Sequence, residues 1–244
     1  MAVAGKAKDH AGVFKRGAKP AVQAAARALL GGQFVVLHDG VGRENEADLL
    51  LIAKHATPWK IRTMRKDAGG LICVSTDAAA AKRLRLPFAT DLLIASKHPL
   101  LSGMCRARMA YGDMPAFSVS INHRSTFTGI TDNDRARTIR EFGRLVECKG
   151  TARDFQGGFR AIGHVFILVG RGLAKRHGHT ELSLCLAEMA GAPPAVVLCE
   201  MLSDNGRAAS KSEAKAYAKL HKIPFIEGKD LLNRHGENRK RGKK

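Results

Sequence analysis

Aromatic side chains are scarce in this chain. They make up 5% of its 244 residues, with one tryptophan and two tyrosines. Proteins that bind single-stranded nucleic acid stack bases on rings, so the composition counts against that class. Acidic residues are also few: 22 Asp and Glu stand against 41 Lys and Arg, for a formal net charge of +19. That excess suits an anionic partner, either a small phosphorylated substrate or a polyanion. The five cysteines, Cys73, Cys105, Cys148, Cys185 and Cys199, are odd in number and widely spaced, with no CxxC pair. A disulfide framework or zinc cluster is therefore not expected, and a reducing cytoplasm is the default compartment. Four of the five lie in or beside apolar runs, so most are expected to be buried core thiols. No segment reaches the roughly 18 apolar residues of a membrane helix, and the first residues carry no apolar run of signal-peptide length. No GxGxxG and no P-loop occurs, which removes those two routes to nucleotide binding.

What is present is an ordinary globular composition, 45% hydrophobic, in a chain long enough to bury a sizeable core. Part of the positive charge sits at the ends. Residues 1–19 carry Lys6, Lys8, Lys15, Arg16 and Lys19 against Asp9, and residues 233–244 carry Arg234, Arg239, Lys240, Arg241, Lys243 and Lys244 against Glu237. Residues 1–19 and 234–244 are expected to be disordered basic tails, with weak, salt-sensitive nucleic-acid contact as the sharper alternative. Residues 20–233 remain as the folded domain.

Along that domain, strands and helices alternate without a long linker or an internal repeat. Pro20 opens an alanine-rich helix that Gly31-Gly32 stops. QFVVLH and DLLLIA follow as strands, the second apolar enough to be buried on both faces. Thr57-Pro58 starts a helix through WKIRTMRK, ended by Gly69-Gly70, and LICVST is a strand. Residues 77–113 hold a short helix at AAAAKRL, a loop at LRLPFATD and a turn at Gly112-Asp113. AFSVSIN is a strand, Thr131 or Asp132 caps the helix DNDRARTIREFG, and GHVFILVG is a strand. HTELSLCLAEMAG is a helix, AVVLCEML a strand, SKSEAKAYAKLHK a helix and IPFIEG a last strand. The pattern predicts one α/β domain with helices packed on a mixed sheet.

Four stretches carry candidate chemistry. In RENEAD, an extended backbone would place Glu44, Glu46 and Asp48 on one face. Three like charges there need cations, protons or solvent; a hard divalent ion is one answer, a solvated acidic edge strand the other. In RHGHTE, Gly178 precedes a helix start at His179 and Thr180. Free N–H groups, a hydroxyl and Arg176 make a phosphate site there, and His179 a metal ligand. Plain capping by Thr180 beside a surface histidine is the alternative. Glu200 lies in an otherwise apolar strand, where a carboxylate is either a tuned acid–base group or a strand-end residue facing water. His164, after Gly163, reads as a satisfied core histidine or as a further acid–base group.

Six segments then fall together: RENEAD, GGLICVST, FSVSIN with TGITDNDRARTI, GHVF, RHGHTE and PPAVVLCEMLSDNG. In order and spacing they resemble the 3,4-dihydroxy-2-butanone 4-phosphate synthases of riboflavin biosynthesis, from about Ala21 to about Leu232. The resemblance implies a three-layer α/β/α sandwich and conversion of D-ribulose 5-phosphate to the four-carbon phosphate and formate. It implies magnesium, or manganese, bound by Glu44 and His179, and a homodimer with its sites near the interface. Arg43, Asp48, Arg176, Gly178, His179, Thr180 and Glu200 would contact substrate. Glu44, Asp48, His164 and Glu200 would be the catalytic set, with Glu46 behind the metal ligands. One departure is notable. Family members commonly carry an acidic DDED before RENE; here Asp39-Gly40-Val41-Gly42 keeps a single acid. No cysteine-rich GTP cyclohydrolase II part follows, so a monofunctional, cytoplasmic enzyme is expected. A catalytically silent relative that binds RNA through its basic surface is the alternative.

Overall fold

The computed structural model describes residues 19–40, 43–105, 109 and 112–232. Both expected tails fall outside these, except Lys19, which pairs with Asp230 at 2.6 Å. Seven strands, β1 (Val35–His38), β2 (Ala47–Ile52), β3 (Cys73–Thr76), β4 (Phe117–His123), β5 (Phe159–Val169), β6 (Ala195–Glu200) and β7 (Phe225–Glu227), form one sheet in the order β4-β5-β3-β6-β2-β1-β7. β3 pairs parallel with β5 and β1 parallel with β7, while the remaining neighbours are antiparallel. The sheet is mixed, as expected.

Its central strands are buried on both faces, which is why DLLLIA and AVVLCE read as nearly continuous apolar runs. Alternate residues serve two cores. Val35, Leu37, Leu50, Ile52, Val196 and Leu198 face α1 (Pro20–Leu30) and α8 (His179–Met189). Val36, Leu49, Leu51, Val74 and Val197 face the other way, towards α2 (Pro58–Thr63), α6 (Asp132–Glu147) and α9 (Lys211–Leu220). The result is the three-layer α/β/α sandwich that the resemblance implied.

Local signals explain most boundaries. Thr57 caps α2 by accepting the Lys60 N–H, and Pro58 fills its first position. A π-helical turn over Met64–Ala68 then runs into Gly69, whose φ of +89° few other residues adopt. Of the two candidates at α6, Thr131 is the cap, accepting the Asp134 N–H.

Several expectations are corrected. The segment LRLPFATD is not all loop: α4 (Ala89–Ala95) starts inside it, and α5 (Pro99–Met104) follows. These helices bury none of their residues, so neither left the apolar periodicity by which a helix is read. α7 (Ala152–Gly158) was also unforeseen, although Thr151 and Asp154 form a capping box at its start. α3 (Ala78–Leu84) lies where AAAAKRL predicted it. Only Cys73 and Cys199 are buried; Cys105 and Cys185 are half-buried and Cys148 is exposed. The expectation of mostly core thiols fails because a cysteine beside an apolar run on a helix can occupy its outer face.

Candidate active site

β1 and β2 pair up to His38 and Ala47, and RENEAD enters β2 from a turn at Arg43 and Glu44. That turn corrects the extended reading. Asn45 has φ +57° and β2 begins only at Ala47, so Glu44 and Glu46 do not share a strand face with Asp48. The backbone curls around Asp39 instead. Its two carboxylate oxygens accept the Glu44 and Glu46 N–H groups, each at 3.1 Å. The single acid left in the depleted loop therefore folds the turn that presents the others. Gly40 lies in the described part of that loop; Val41 and Gly42 do not.

Helix α8 delivers the partner. His179 is its first residue and is 6% exposed, so it is not a surface histidine. Its Nδ1 lies 3.3 Å from Glu44 Oε2, and its Nε2 lies 3.2 Å from the Glu46 carbonyl oxygen and 3.6 Å from Asp48 Oδ1. Asp39, Glu44 and His179 offer ligand atoms all within 4.8 Å of one another. Two carboxylates and one imidazole suit a hard or borderline divalent ion, and the buried Asp48 Oδ1 beside them makes no hydrogen bond. The donor set fits the metal that the resemblance implied.

Electrostatics follow from burial. Removal from water pushes the Asp48 carboxyl up to about 7, with Glu200, Glu44 and Glu46 adding to the rise and His179 opposing it. Burial also raises Glu46, helped by Glu44. For His179 burial acts to lower the pKa, but Asp48 and the hydrogen bond to Glu44 outweigh it and lift the ring to about 9.

A cationic half adjoins this acidic half. Arg176, 8% exposed, reaches Glu181 at 2.8 Å, Asp113 at 3.2 Å and Glu44 at 3.7 Å. Arg43 also pairs with Asp113. Gly178 is the N-cap of α8 and contributes no side-chain cap; Thr180 lies inside the helix and is not the cap. A Cβ on Gly178 would come within 2.4 Å of Arg176 Nη1 and 2.9 Å of Arg43 Nη2. Glycine here lets both guanidinium groups lie against the helix start, where N–H groups and the dipole favour an anion.

Glu200 is the cross-strand partner of Asp48, so both side chains point to the α8 face. It is half-buried rather than fully in water, and its Oε2 accepts the Leu71 N–H at 2.8 Å. Gly70 permits this, since a Cβ there would meet that oxygen at 2.5 Å. His164 stands apart. It is exposed, which removes the core reading. Registers carry Phe166 to Cys73, Cys73 to Leu198 and Glu200 to Asp48. His164 is thus on the same transverse row as Glu200 but two strands away, on the order of 10 Å. Its ring is held by Asn122, with Nδ2 to Nδ1 at 3.1 Å and the His164 N–H donating to Oδ1 at 2.9 Å.

Sequence reasoning missed Asp113, Glu181 and Asn122. Asp113 read as a turn residue, Glu181 as part of a helix start and Asn122 as a strand residue; only the fold brings them to Arg43, Arg176 and His164.

Comparison with known proteins agrees with this geometry. The family model for 3,4-dihydroxy-2-butanone 4-phosphate synthase matches residues 23–234. The chain belongs to that family. The synthase from Methanosarcina mazei is 43% identical over 86% of this chain and 89% of its own. The synthase from Methanothermobacter thermautotrophicus is 39% identical, covering 89% and 97%. The riboflavin biosynthesis protein RibBA of Bacillus subtilis is 35% identical over 86% of this chain and 48% of its own length. Among solved structures, a 3,4-dihydroxy-2-butanone 4-phosphate synthase in complex with two magnesium ions superposes with a TM-score of 0.70 at 27% identity, covering 90% and 98%. This chain is accordingly a synthase of riboflavin biosynthesis. No helix among the described residues is long and apolar enough to cross a membrane.

Proposed function

We propose that this site converts D-ribulose 5-phosphate to L-3,4-dihydroxy-2-butanone 4-phosphate and formate, with magnesium, or manganese, held by Glu44 and His179 and assisted by Asp39. The observation that carries this reading is the junction of two half-sites. The Glu44–His179 pair, at 3.3 Å, directly adjoins the Arg43–Arg176 pair over Gly178. A sugar phosphate spanning both would have its phosphate on the guanidinium groups, the α8 amides and the Thr180 hydroxyl. Its carbonyl and hydroxyls would then meet the carboxylates.

A divalent ion bound there supplies Lewis-acid polarisation of the ketose carbonyl and its neighbouring hydroxyl. The chain does the rest. Asp48, raised to about 7, is poised to exchange protons with the sugar hydroxyls. Glu200, fixed by the Leu71 N–H, is the second carboxylate on that face. Glu46 turns its carbonyl to His179 and so fixes the ring from behind. The substrate's five carbons divide into a four-carbon phosphate and formate with no oxidant, so shuttled protons are the main demand on the protein.

His164 is the remaining acid–base group. Its exposure and its distance from Glu200 support a homodimer in which a second copy covers this edge. Phe127, 96% exposed, and Ile162, 91% exposed, lie near it and would be covered with it. Residues 20–233 form the catalytic unit in this reading, in the cytoplasm, with the basic tails dispensable.

The test is formate release from D-ribulose 5-phosphate with and without magnesium. Wild type should release formate only with the ion, while Glu44→Ala and His179→Ala remain folded and inactive. Near-normal turnover in either variant would remove that residue from the metal site. No formate from wild type with any divalent ion would overturn the reaction assignment and favour the RNA-binding alternative.

A further inference from the structure

Arg176 is held by three carboxylates, and they are not equivalent. Asp113 and Glu44 are partly open to solvent, with side-chain exposures of 29% and 21%; Glu181 has 0%. We propose that Glu181 is a positioning residue that sets the aim of Arg176 and, through it, recognition of the substrate phosphate. This rests on the reading of Arg176 as a phosphate-holding residue.

Glu181 occupies the third position of α8, where a carboxylate could reach back to the N-cap amide. It does not. One oxygen accepts the Arg171 N–H at 3.0 Å and the other accepts from Arg176 Nη1 at 2.8 Å. The two bonds close the loop that joins β5 to α8, gripping it at Arg171 and again at Arg176. The Arg171 side chain extends this brace. It donates to the Met114 and Pro115 carbonyl oxygens at 3.0 and 3.2 Å and lies over the Phe88 ring at 4.2 Å.

A buried carboxylate is tolerated only when paired and fully hydrogen-bonded, and Glu181 spends both oxygens on this one loop. An arriving phosphate can displace the partly exposed Asp113 from the guanidinium, whereas Glu181, closed off from solvent, stays. Arg176 Nη1 is thus committed to the protein, while Nη2 and Nε face the partly exposed Glu44 and Asp113.

The experiment is steady-state kinetics on the full chain with magnesium, comparing wild type, Glu181→Gln, Arg176→Ala and the double variant, with inorganic phosphate as a competing probe. Losing a charge-assisted hydrogen bond should raise KM and the phosphate inhibition constant about tenfold while kcat changes less than about threefold. Added to Arg176→Ala, Glu181→Gln should cost nothing further, since its effect runs through that side chain. Multiplied effects in the double variant, or a fall in kcat with KM intact, would overturn the proposal and leave Arg176 in place. An unchanged KM in Arg176→Ala would refute the phosphate reading itself, and the proposal with it. Thermal unfolding checks folding. If Glu181→Gln does not fold, Glu181→Asp, which keeps the charge but shortens the reach, is read by the same criteria.

Discussion

His179 meets an oxygen at each ring nitrogen: Glu44 Oε2 at 3.3 Å from Nδ1 and the Glu46 carbonyl at 3.2 Å from Nε2. Without a metal this geometry favours the doubly protonated ring, since both nitrogens then donate. The ring is raised to about 9 and Asp48 to about 7. Both shifts mean that the native state binds more protons than the unfolded chain, so stability must fall as pH rises. The Asp48 part is lost as pH climbs from its ordinary carboxylate value towards 7; the His179 part is present below its ordinary value of 6.5 and lost as pH passes through 9. A metal held by His179, as proposed, would take the place of that proton, so its binding should strengthen over the same range. The midpoint of thermal unfolding in chelator should drop between pH 5 and pH 9, and the increment from magnesium should grow. A flat profile in chelator would contradict the buried pair.

Asp113 bridges Arg43 and Arg176, and the contact to Arg43 holds its carboxyl below the usual range. In the absence of substrate it occupies guanidinium edges that a phosphate would need. Asp113→Asn removes the competing charge but keeps the shape. Inorganic phosphate should then inhibit more tightly, by about three- to tenfold, and unfolding stability should change by no more than about 1 kcal/mol, because the pair is partly exposed. Weaker phosphate inhibition would show that Asp113 organises the guanidinium pair rather than competing for it.

Gly178 has an ordinary φ of −82°, so alanine strains no backbone there. Its Cβ would instead push on Arg176 Nη1 at 2.4 Å and Arg43 Nη2 at 2.9 Å. Gly178→Ala should therefore raise KM about tenfold or more with a loss of about 1 kcal/mol or less at the cap. Kinetics beside thermal unfolding separate the two; a large stability loss with unchanged KM would place the role of Gly178 in folding alone.

The parts of this molecule that were legible in the sequence are those where one residue's environment repeats along the chain. DLLLIA and AVVLCE announce strands buried on two faces, and Thr57-Pro58 announces a helix start. His179 and Glu44, which the resemblance paired as metal ligands, do meet. The illegible parts depend on chain crossings. Nothing near Asp113 signals that it will meet Arg43, 70 positions away, and nothing near Asn122 signals the ring of His164, 42 positions away. α4 and α5 bury none of their residues, so no periodicity could mark them. The alternating acids of RENEAD misled for a related reason: period-two spacing implies one face only on a strand, and Asp39 bends these residues into a turn.

Asn122 holds the ring of His164. It is 9% exposed, and Thr128 and Gly129 wrap its amide: Nδ2 donates to the Thr128 carbonyl, and a Cβ on Gly129 would meet that nitrogen at 2.1 Å. Oδ1 accepts the His164 backbone N–H at 2.9 Å, and the ring Nδ1 lies 3.1 Å from Nδ2 and 3.3 Å from Oδ1. A neutral ring whose Nδ1 accepts from Nδ2 carries its proton on Nε2, the tautomer that would serve the acid–base role proposed for His164. Asn122→Asp offers Nδ1 a carboxylate instead. That favours the imidazolium, so with His164 in the proposed acid–base role one limb of the pH–rate profile should move to higher pH. Asn122→Ala should lower kcat about tenfold with little change in KM, and should add nothing once His164 is alanine. A pH profile unmoved by Asn122→Asp would take His164 out of the acid–base set, whereas a shifted profile assigns the limb to this ring.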